Sequence, residues 1–487
     1  MHFENKKLII IGAGISGLAA GIYARMAGYD THIYELHTVP GGECTGWDRK
    51  GYHIDGCIHW LTGTSKHSPL YKIWCDLGAL GDDVSIFETE SFGAMETENG
   101  IIRLYKNRDR LESYLKELAP EDEEELTKFF ATFHEIDSDF MPMDAIDVLG
   151  LIEKLSMMKR ALGGMKAMNA LKLPMQEYLK RFKNENLRTL FSMSLPSDQS
   201  VFVLFFTLAT VMSGNGGRPE GGSRAMAVRM AKKFESLGGV LHMGARVEEI
   251  CIEKNRATDI HVTLSRLLKG QYPLKEFDLR DADPKTYPCQ SSSIAAFGLD
   301  IDLSDMDTEL LIQSRPFLFE GEKKNYLALK HYCYEPSFAP PGHSVLTAYF
   351  DGNYSWWKQL ASDDKSDSDA FHLDSPRYLA EKERLLQELV LVLEEKYPEW
   401  KGHIVPLDFV TPLTYERYCG AYRGQWMSYG YTENGKSLMH NGRIKGIKNF
   451  SMCGQWLMPP GGLPVAAITG RWAIQRLCKA DKKNWRF

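Results

Sequence analysis

Glycines near the N-terminus have the spacing that suits phosphate binding. The motif G-x-G-x-x-G runs from Gly12 to Gly17, directly after the apolar run Lys7–Ile11. In such a motif Gly12 permits a tight turn, Gly14 lets the backbone approach a pyrophosphate, and Gly17 lets the next helix pack closely on the strand. Free N–H groups at the start of that helix attract phosphate oxygens. The motif therefore predicts a dinucleotide at this loop.

An acid further along the chain suits the ribose of the same dinucleotide. Glu35 follows a second apolar run, Thr31–Tyr34, at close to the distance from the glycines that the dinucleotide-binding pattern requires. Its carboxylate can accept hydrogen bonds from a ribose diol and would repel a 2′-phosphate. We therefore predict a cofactor without that phosphate, which argues against NADP at this position.

The elements that must position these residues are visible in the same segment. Lys7–Ile11 is typical of a buried strand, and apolar residues recur at helical spacing from Leu18 to Met26, up to Gly28. A strand, a glycine turn, a helix and a second strand form the unit on which parallel α/β sheets are built. The N-terminal segment therefore predicts a Rossmann-like fold.

Composition excludes several classes of protein. The 487 residues are 44% hydrophobic and 25% charged, with a net charge of −6, so the chain is globular and has no basic excess for nucleic acid. The nine cysteines include no C-x-x-C pair, which favours free thiols in a reducing cytoplasm over disulfides or a metal site. The apolar run Val201–Met212 is too short to span a bilayer and predicts a buried wall.

Two further glycine-rich segments suit a long cofactor. Gly41 and Gly42 follow soon after the ribose acid, and their backbone can pass close to a ligand. Near the C-terminus, Gly454 precedes the segment Pro459–Pro464, and a helical stretch begins at Val465. A glycine loop that leads into a helix offers a second N-terminus for negative charge.

These segments, with 51–55, 58–60, 219–223 and 411–414, resemble the phytoene desaturase and all-trans-retinol 13,14-reductase (retinol saturase)-like family of FAD-dependent oxidoreductases. The resemblance extends over the full length of the chain, and Ile58-His59-Trp60 is more similar to the saturase branch. It implies an α/β fold. A Rossmann-like FAD-binding domain of the glutathione-reductase and amine-oxidase type would be interleaved with an α+β substrate domain.

The resemblance also implies which residues hold FAD. Val247 would meet the adenine through its backbone, and the C-terminal glycine loop would lie at the isoalloxazine end. The residues that it assigns to the cofactor are Gly12, Gly14, Ser16, Gly17, Glu35, Gly41, Gly42, Val247, Gly454, Gly461, Gly462 and Leu463.

The implied domains are discontinuous. FAD-binding segments are expected at 1–100, 219–270 and 436–487. Helical substrate-domain residues are expected at 101–218, and a sheet plus helix at 271–435. One departure from the family concerns the strand that should return to the FAD domain near 260–264. The sequence shows no such strand there, so it is absent or a segment is missing.

The family chemistry implies hydride transfer to or from flavin N5 at C–C single or double bonds of a long apolar substrate. A polyene, an isoprenoid and an unsaturated acyl chain all qualify. Similarity to the saturase branch favours saturation, with desaturation and double-bond isomerisation as alternatives. A flavin amine oxidase is an alternative with the same fold. A lipid- or prenyl-binding escort protein is a non-catalytic alternative, but such proteins tend to lose the flavin glycines that this chain retains.

Candidates for proton transfer follow from the same resemblance. His59 lies in a segment that the family places near the flavin, although a role in orienting local backbone is the alternative. A second cluster comprises Tyr415, Tyr418, Tyr422 and Arg423. Its tyrosines can donate protons, but aromatic lining of an apolar substrate pocket is favoured. The sequence shows no metal-ligand cluster.

The segment 151–175 is rich in methionine and lysine and predicts a basic amphipathic helix. Such a helix suits peripheral contact with an anionic inner membrane surface, or the mouth of an adaptable tunnel. A pair of core helices with buried methionines is the alternative. Since no second G-x-G-x-x-G is present, we expect a nicotinamide or other redox partner to bind only transiently.

Overall fold

A parallel sheet near the N-terminus carries the glycine loop. The computed structural model describes residues 6–133, 136, 141–192, 199–253, 256–259, 288, 290–362, 373–430, 439–444 and 446–487. Strands β1 (Lys7–Ile11) and β2 (Asp30–Tyr34) pair in parallel, and β10 (Val240–His242) pairs with the other edge of β2. Helix α1 (Ile15–Met26) connects β1 to β2. The predicted strand, turn, helix and strand are confirmed.

The helices predicted from sequence form at the expected places. The remaining helices of the described chain are α2 (Pro69–Asp76), α3 (Arg108–Leu118), α4 (Glu123–Thr132), α5 (Leu151–Ala170), α6 (Met175–Leu179), α7 (Glu185–Ser192), α8 (Phe202–Met212), α9 (Gly222–Ser236), α10 (Tyr354–Ala361), α11 (Pro376–Lys396), α12 (Pro412–Cys419) and α13 (Leu463–Ala480). A 3₁₀ turn from Pro120 leads into α4, and α11 begins with proline after Ser375. Helix α8 is largely buried, which confirms the wall predicted for that apolar run.

A second, mainly antiparallel sheet forms the other half of the structure. Its order is β17-β13-β16-β15-β14-β7-β8. The remaining strands of the described chain are β3 (Gly46–Arg49), β4 (Tyr52–Asp55), β5 (Leu61–Thr62), β6 (Ile86–Phe87), β7 (Ser91–Thr97), β8 (Gly100–Tyr105), β9 (Gly216–Pro219), β11 (Cys251–Glu253), β12 (Arg256–Asp259), β13 (Ser292–Leu299), β14 (Glu309–Phe319), β15 (Glu322–His331), β16 (Ser344–Asp351) and β17 (Ile404–Val410). Helix α11 packs its leucines on this sheet, so one sheet face is a buried core.

The segments assigned to the cofactor domain meet in one core. Residues of α1, α9 and α13 pack together, although they come from the start, middle and end of the chain. Helices α1 and α13 approach closely because Gly470 has no side chain: a Cβ there would lie 2.5 Å from the carbonyl oxygen of Ser16. This packing supports an interleaved arrangement, and the domain boundaries themselves stay predictions. Strand β7, which precedes residue 100, pairs with β14 of the second sheet.

The expected break in the middle segment is only partly visible. Strands β11 and β12 pair as an antiparallel hairpin. Residues 260–264, where the returning strand could not be recognised, lie outside the described residues. Within the described chain, no helix combines the length and the apolar character that crossing a membrane requires.

We expect Gly17→Ala to lower the free energy of unfolding by about 1–3 kcal/mol. The added methyl would lie 1.9 Å from the carbonyl oxygen of Gly12, so α1 would have to move away from the turn. Thermal denaturation measures the effect. The control is Gly163→Ala in α5, where no atom lies within 4 Å of the added methyl. That change should leave the melting temperature equal or higher, because alanine favours helices by up to ~1 kcal/mol over glycine. Equal melting temperatures for the Gly17→Ala and native proteins would contradict the close packing.

Candidate active site

The carboxylate of Glu35 is hydrogen-bonded to the backbone of the glycine loop. Its Oε2 accepts a hydrogen bond from the backbone N–H of Ala13 at 2.6 Å, and its Oε1 accepts one from His37 at 2.8 Å. Each carboxylate oxygen has a further lone pair for a hydroxyl. Glu35 is buried at the end of β2, where the backbone N–H of Ala245 also donates to its carbonyl oxygen at 2.8 Å. This geometry fits the predicted ribose contact.

Two helix N-termini open onto the same cavity. Helix α1 begins after Gly14 and α13 begins after Gly462, and no side chain caps either helix. Both glycines line the cavity. The free N–H groups and the positive ends of the helix dipoles therefore face it and suit phosphate or other negative charge. Because a Cβ on Gly454 would lie 3.9 Å from Oγ of Ser16, the two loops are neighbours.

The cavity extends from these loops to an apolar wall. Its volume is about 1620 Å³, above the roughly 300–1,000 Å³ that one small ligand occupies. The far wall includes Phe92, Met157, Met168, Phe202, Phe206 and Leu310. The space is therefore sufficient for a dinucleotide cofactor and an apolar substrate together.

The predicted catalytic candidate, His59, lines the cavity between the loops and this wall. Its Nδ1 lies 3.2 Å from Oε1 of Glu309, and its ring packs edge-on against Tyr349 with 4.5 Å between centroids. Nη2 of Arg218 lies 3.6 Å from the same Glu309 oxygen. The imidazole is thus held by a carboxylate that is itself paired with a buried guanidinium.

A buried lysine fixes the backbone next to His59. The ammonium group of Lys330 donates a hydrogen bond to the carbonyl oxygen of Ile58, and the side chain is fully buried. Burial lowers the pKa of Lys330, while Glu309 and Asp55 act in the opposite direction. A charged group in this position is tolerated because carboxylates are near.

Charge at this end of the cavity is divided unequally between His59 and Glu309. Burial lowers the pKa of His59, and the nearby Lys330 lowers it further, against the opposing effect of Glu309. Burial disfavours ionisation of Glu309, but the contact with His59 and, after it, the charges of Lys330 and Arg218 outweigh burial and lower the pKa of Glu309. The two directions favour a carboxylate on Glu309 and a neutral imidazole on His59 at neutral pH.

Two sequence segments that resembled family elements meet in one hydrogen-bond cluster. Asp55 Oδ2 accepts from the backbone N–H of Ser223 at 2.6 Å, and Oδ1 accepts from the Ser223 hydroxyl at 2.6 Å. The same Oδ1 accepts from the backbone N–H of Cys57 at 3.0 Å. Asp55 therefore holds the start of α9 against the segment that carries His59.

A carboxyl group that sequence reasoning missed also lines the cavity. Glu43 follows the glycine pair, and its Oε2 accepts a hydrogen bond from Nε2 of Gln455 at 3.0 Å. Oε1 of Gln455 accepts from the backbone N–H of Gly462 at 2.9 Å, so the glutamine links both loops. Burial raises the pKa of Glu43 to about 8. Only the raised pKa marks this residue, and it depends on tertiary surroundings.

The structure separates the other predicted residues. Of the cofactor candidates, those that line the cavity are Gly14, Ser16, Gly41, Gly42, Gly454, Gly461, Gly462 and Leu463. Gly12 and Gly17 form the turn behind them, and Val247 is buried beyond Ala245. Their roles toward FAD stay predictions.

The predicted aromatic cluster is divided between cavity and surface. Tyr415 lines the cavity, and burial raises the pKa of its hydroxyl. Tyr418, Tyr422 and Arg423 are exposed and are not among the residues that line the cavity. Tyr418 lies in the same helix α12, three residues beyond the buried Tyr415, whereas Tyr422 and Arg423 follow the end of the helix.

The methionines of the segment 151–175 divide in a similar way. Met157, Met158 and Met168 line the cavity, whereas Met175 lies in the core of the helical region. The tunnel-mouth and core-helix interpretations therefore each apply to different methionines.

The glycine loop, the Glu35 carboxylate beneath it and the two helix N-termini define the class of protein, which is that of Rossmann-like dinucleotide-binding folds. A family model described as an NAD(P)-binding Rossmann-like domain matches residues 10–77.

Relatives that match most of the chain are oxidoreductases and an isomerase of retinoids and carotenoids by name. The chain is 24% identical to the all-trans-retinol 13,14-reductase of Danio rerio, over 96% of this chain and 85% of that protein. It is also 24% identical to a lycopene-forming phytoene desaturase of Pseudescherichia vulneris, over 94% and 96% of the two chains. A chloroplastic prolycopene isomerase of Daucus carota is 21% identical, over 84% and 70%. These similarities confirm the predicted resemblance.

Solved structures confirm the predicted fold class. An oxidoreductase of Methanosarcina mazei has a TM-score of 0.56 at 16% identity, over 96% of this chain and 100% of that one. A double mutant of putrescine oxidase has a TM-score of 0.56 at 13% identity, over 97% and 99%. The fold is therefore shared with oxidoreductases of different chemistry.

We expect Glu43→Gln to change how stability depends on pH. The folded protein holds the Glu43 proton more tightly than the unfolded chain, because its pKa rises from 4.5 to about 8 on folding. The native protein should therefore lose stability as pH rises through this window, and the variant should lose less. Each tenfold change in acid constant is worth about 1.4 kcal/mol, so the difference above about pH 8 should exceed 1 kcal/mol.

Thermal denaturation of the ligand-free protein between about pH 5 and pH 9 measures this difference. The control variant is Glu117→Gln, which removes an exposed carboxylate of α3. Parallel pH profiles for the native and Glu43→Gln proteins would show that the pKa of Glu43 is the same in the folded and unfolded states.

Proposed function

We propose that the protein is an FAD-dependent oxidoreductase that adds hydrogen to, or removes it from, C–C bonds of a long apolar substrate. A polyene, an isoprenoid and an unsaturated acyl chain are the substrate classes that contain such bonds. The observation that carries the proposal is the single cavity that joins both glycine loops to a wall of methionine and phenylalanine side chains. Relatives named retinol reductase and phytoene desaturase support it.

FAD fits the polar end of this cavity. The N-terminus of α1, with Gly14 and Ser16, would hold the pyrophosphate, and Glu35 would hold the adenosine ribose. Gly41 and Gly42 would line the central part, and Val247 would contact the adenine. The N-terminus of α13 would face the isoalloxazine end. A bound flavin supplies two-electron chemistry in the form of hydride exchange at N5.

His59 would move the proton that accompanies this exchange. The neutral imidazole can accept a proton when a C–H bond is broken, and the imidazolium can donate one when a double bond is saturated. Glu309 stabilises the imidazolium and orients its ring through the contact to Nδ1. Because the pKa of His59 is lowered, saturation should slow as pH rises, whereas desaturation should accelerate.

Saturation is the proposed direction. The segment 58–60 resembles the saturase branch, and a retinol 13,14-reductase matches 96% of the chain. Desaturation and isomerisation are the other reactions that the same cavity permits. The pH profile of turnover separates saturation from desaturation.

The experiment that tests the function begins with the visible spectrum after incubation with FAD. We expect a flavin spectrum, and anaerobic photoreduction followed by mixing with unsaturated retinoids or carotenoids should reoxidise the flavin and shorten the conjugated system. A protein that takes up no FAD would contradict the proposal. If only oxidised enzyme reacts with the polyenes, the direction is desaturation.

Variants of His59 test the proton step separately. His59→Asn should lower turnover by about 100-fold or more while FAD remains bound, because a positioned acid or base contributes roughly 10²–10⁴-fold. Glu309→Gln should weaken the pH dependence of turnover. The matched control is His403→Asn, which breaks a similar histidine–carboxylate pair to Asp300, 2.8 Å long but exposed. Equal turnover in His59→Asn and the native protein would limit His59 to a structural role.

We further propose that α5 docks on an anionic membrane surface. Its side chains Leu151, Ile152, Leu155 and Leu162 are 76%, 84%, 59% and 62% exposed. Lysines 154, 159 and 166 lie among them, and each can add about 1 kcal/mol of attraction to anionic lipid. Since Met157 and Met168 of the same helix line the cavity, docking would bring its apolar wall next to the bilayer.

Sedimentation with vesicles that contain phosphatidylserine measures docking. We expect binding at low salt that weakens at high salt, and weaker binding to neutral vesicles. The triple change Leu151→Ser, Ile152→Ser and Leu155→Ser should reduce affinity at least tenfold, because burying each apolar side chain contributes about 1.5–3 kcal/mol. The control is Leu391→Ser on α11, which is also exposed, at 55%. Equal affinity in the triple variant would exclude α5 as the docking surface.

A further inference from the structure

Two cysteines lie opposite each other where a hairpin enters the cavity. Strands β3 and β4 pair Gly46 with Asp55, and the backbone N–H of Gly56 donates to the carbonyl oxygen of Thr45 at 3.0 Å, which extends the ladder by one pair. Cys44 and Cys57 come next on the two sides of the hairpin, just beyond its paired strand residues. A disulfide requires Cα atoms about 4.4–6.8 Å apart, and directly opposite residues of an antiparallel pair lie about 4.5–5.5 Å apart.

The two thiols are close enough to influence each other. The neighbouring Cys57 side chain, together with burial, raises the pKa of Cys44 well above its ordinary value. Cys44 Sγ also lies 3.5 Å from the carbonyl oxygen of Ser223, while both cysteines are reduced. The N–H of Cys57 is fixed by Asp55, so the pair is held in place by α9 and by the hairpin.

The pair borders the same cavity as the cofactor loops. Cys44 follows Gly41 and Gly42 by a few residues, Cys57 precedes His59, and all of these residues line the cavity. Cys44 is almost completely buried, whereas Cys57 is partly accessible. A reagent in the cavity would therefore reach Cys57 first, with Cys44 behind it.

We propose that Cys44 and Cys57 are a redox-active pair that exchanges two electrons with flavin in this cavity, with a small dithiol as the external donor. This inference rests on the proposed flavin function. It adds a route for electrons that the glycine loops and His59 do not provide.

The reaction balances in two stages. A thiolate of the donor attacks the sulfur of Cys57 in the Cys44–Cys57 disulfide, and the S–S bond breaks with Cys44 as the leaving group, which takes up a proton. The second donor thiol then displaces Cys57, so the donor leaves as a disulfide and both cysteines are thiols. In the second stage the two thiols would form their S–S bond again, and a flavin bound in the cavity would accept the two electrons and two protons that they release.

The roles of the two cysteines differ. The accessible Cys57 is the sulfur that an external thiol attacks. Cys44 is the buried partner, which is protonated in the reduced pair and forms the S–S bond with Cys57. Cys419 and Cys453 also border the cavity. Among the described residues, Cys419 interacts with Cys57 only through charge, and no hydrogen bond joins Cys419 or Cys453 to another thiol.

Peptide mapping tests whether the pair forms a disulfide. The protein is treated with diamide, its free thiols are alkylated, and the digest is analysed by mass spectrometry with and without dithiothreitol. We expect a linked peptide of Cys44 and Cys57 that dithiothreitol removes, in the native protein and in the control Cys75→Ser, which changes a cysteine of α2. Absence of the linked peptide would overturn the inference.

Anaerobic titration tests exchange with flavin. The diamide-treated holoenzyme should consume about two equivalents of dithionite per flavin, because the disulfide adds a second two-electron couple. Cys44→Ser and Cys57→Ser should each consume about one equivalent. Cys57→Ala is a second variant in case the serine disturbs folding, and bound FAD per protein confirms the folded state. One equivalent in the native holoenzyme would overturn the exchange with flavin.

The outcomes distinguish this inference from the proposed function. If two equivalents are consumed but no polyene reacts, the cysteine pair stands and the substrate class is wrong. If FAD does not bind, the proposed function fails and exchange with flavin fails with it. Peptide mapping then still decides whether the two cysteines form a reversible disulfide.

Discussion

The close packing of α1 on α13 is the constraint on which the site depends. It joins the first and last segments of the chain, and Gly470 makes it possible because any side chain there would collide with the backbone of Ser16. This contact brings two uncapped helix N-termini to one cavity. The first N–H groups of each helix have no acceptors within their own helix. A bound anion that accepts hydrogen bonds from them would therefore be stabilised.

The cavity wall around His59 contains buried ionisable groups that stabilise one another. Four ionisable groups, Asp55, Glu309, Arg218 and Lys330, are buried or largely buried there. Each would be costly alone, and each is near a group of opposite charge or several N–H donors. The result is a rigid segment around His59, because its neighbours are held from β4, β9, β14 and β15 at once. Such a segment can position a proton-transfer group without needing ligand to order it.

Helix α5 has apolar groups on two sides, which is unusual for a surface helix. One side contributes to the cavity and the other faces solvent. Exposed apolar groups of this number normally mark an interaction surface. A cavity wall that is also an exposed surface is a reasonable entrance for a substrate that partitions into lipid.

The sequence by itself determined the elements whose signals are local. The glycine motif, the apolar strand and Glu35 lie within one short segment, so turn geometry and hydrophobic spacing were enough to predict the Rossmann-like unit and an acid next to its glycine turn. Tertiary structure alone decided which distant residues meet. Glu309, Arg218 and Lys330 have no common motif, and only strand pairing brings them to His59. Glu43 has an unusual pKa only because folding buries it, and Tyr418 is exposed although Tyr415 of the same helix is buried. These outcomes depend on contacts between residues far apart in the chain, which spacing within a single segment does not encode.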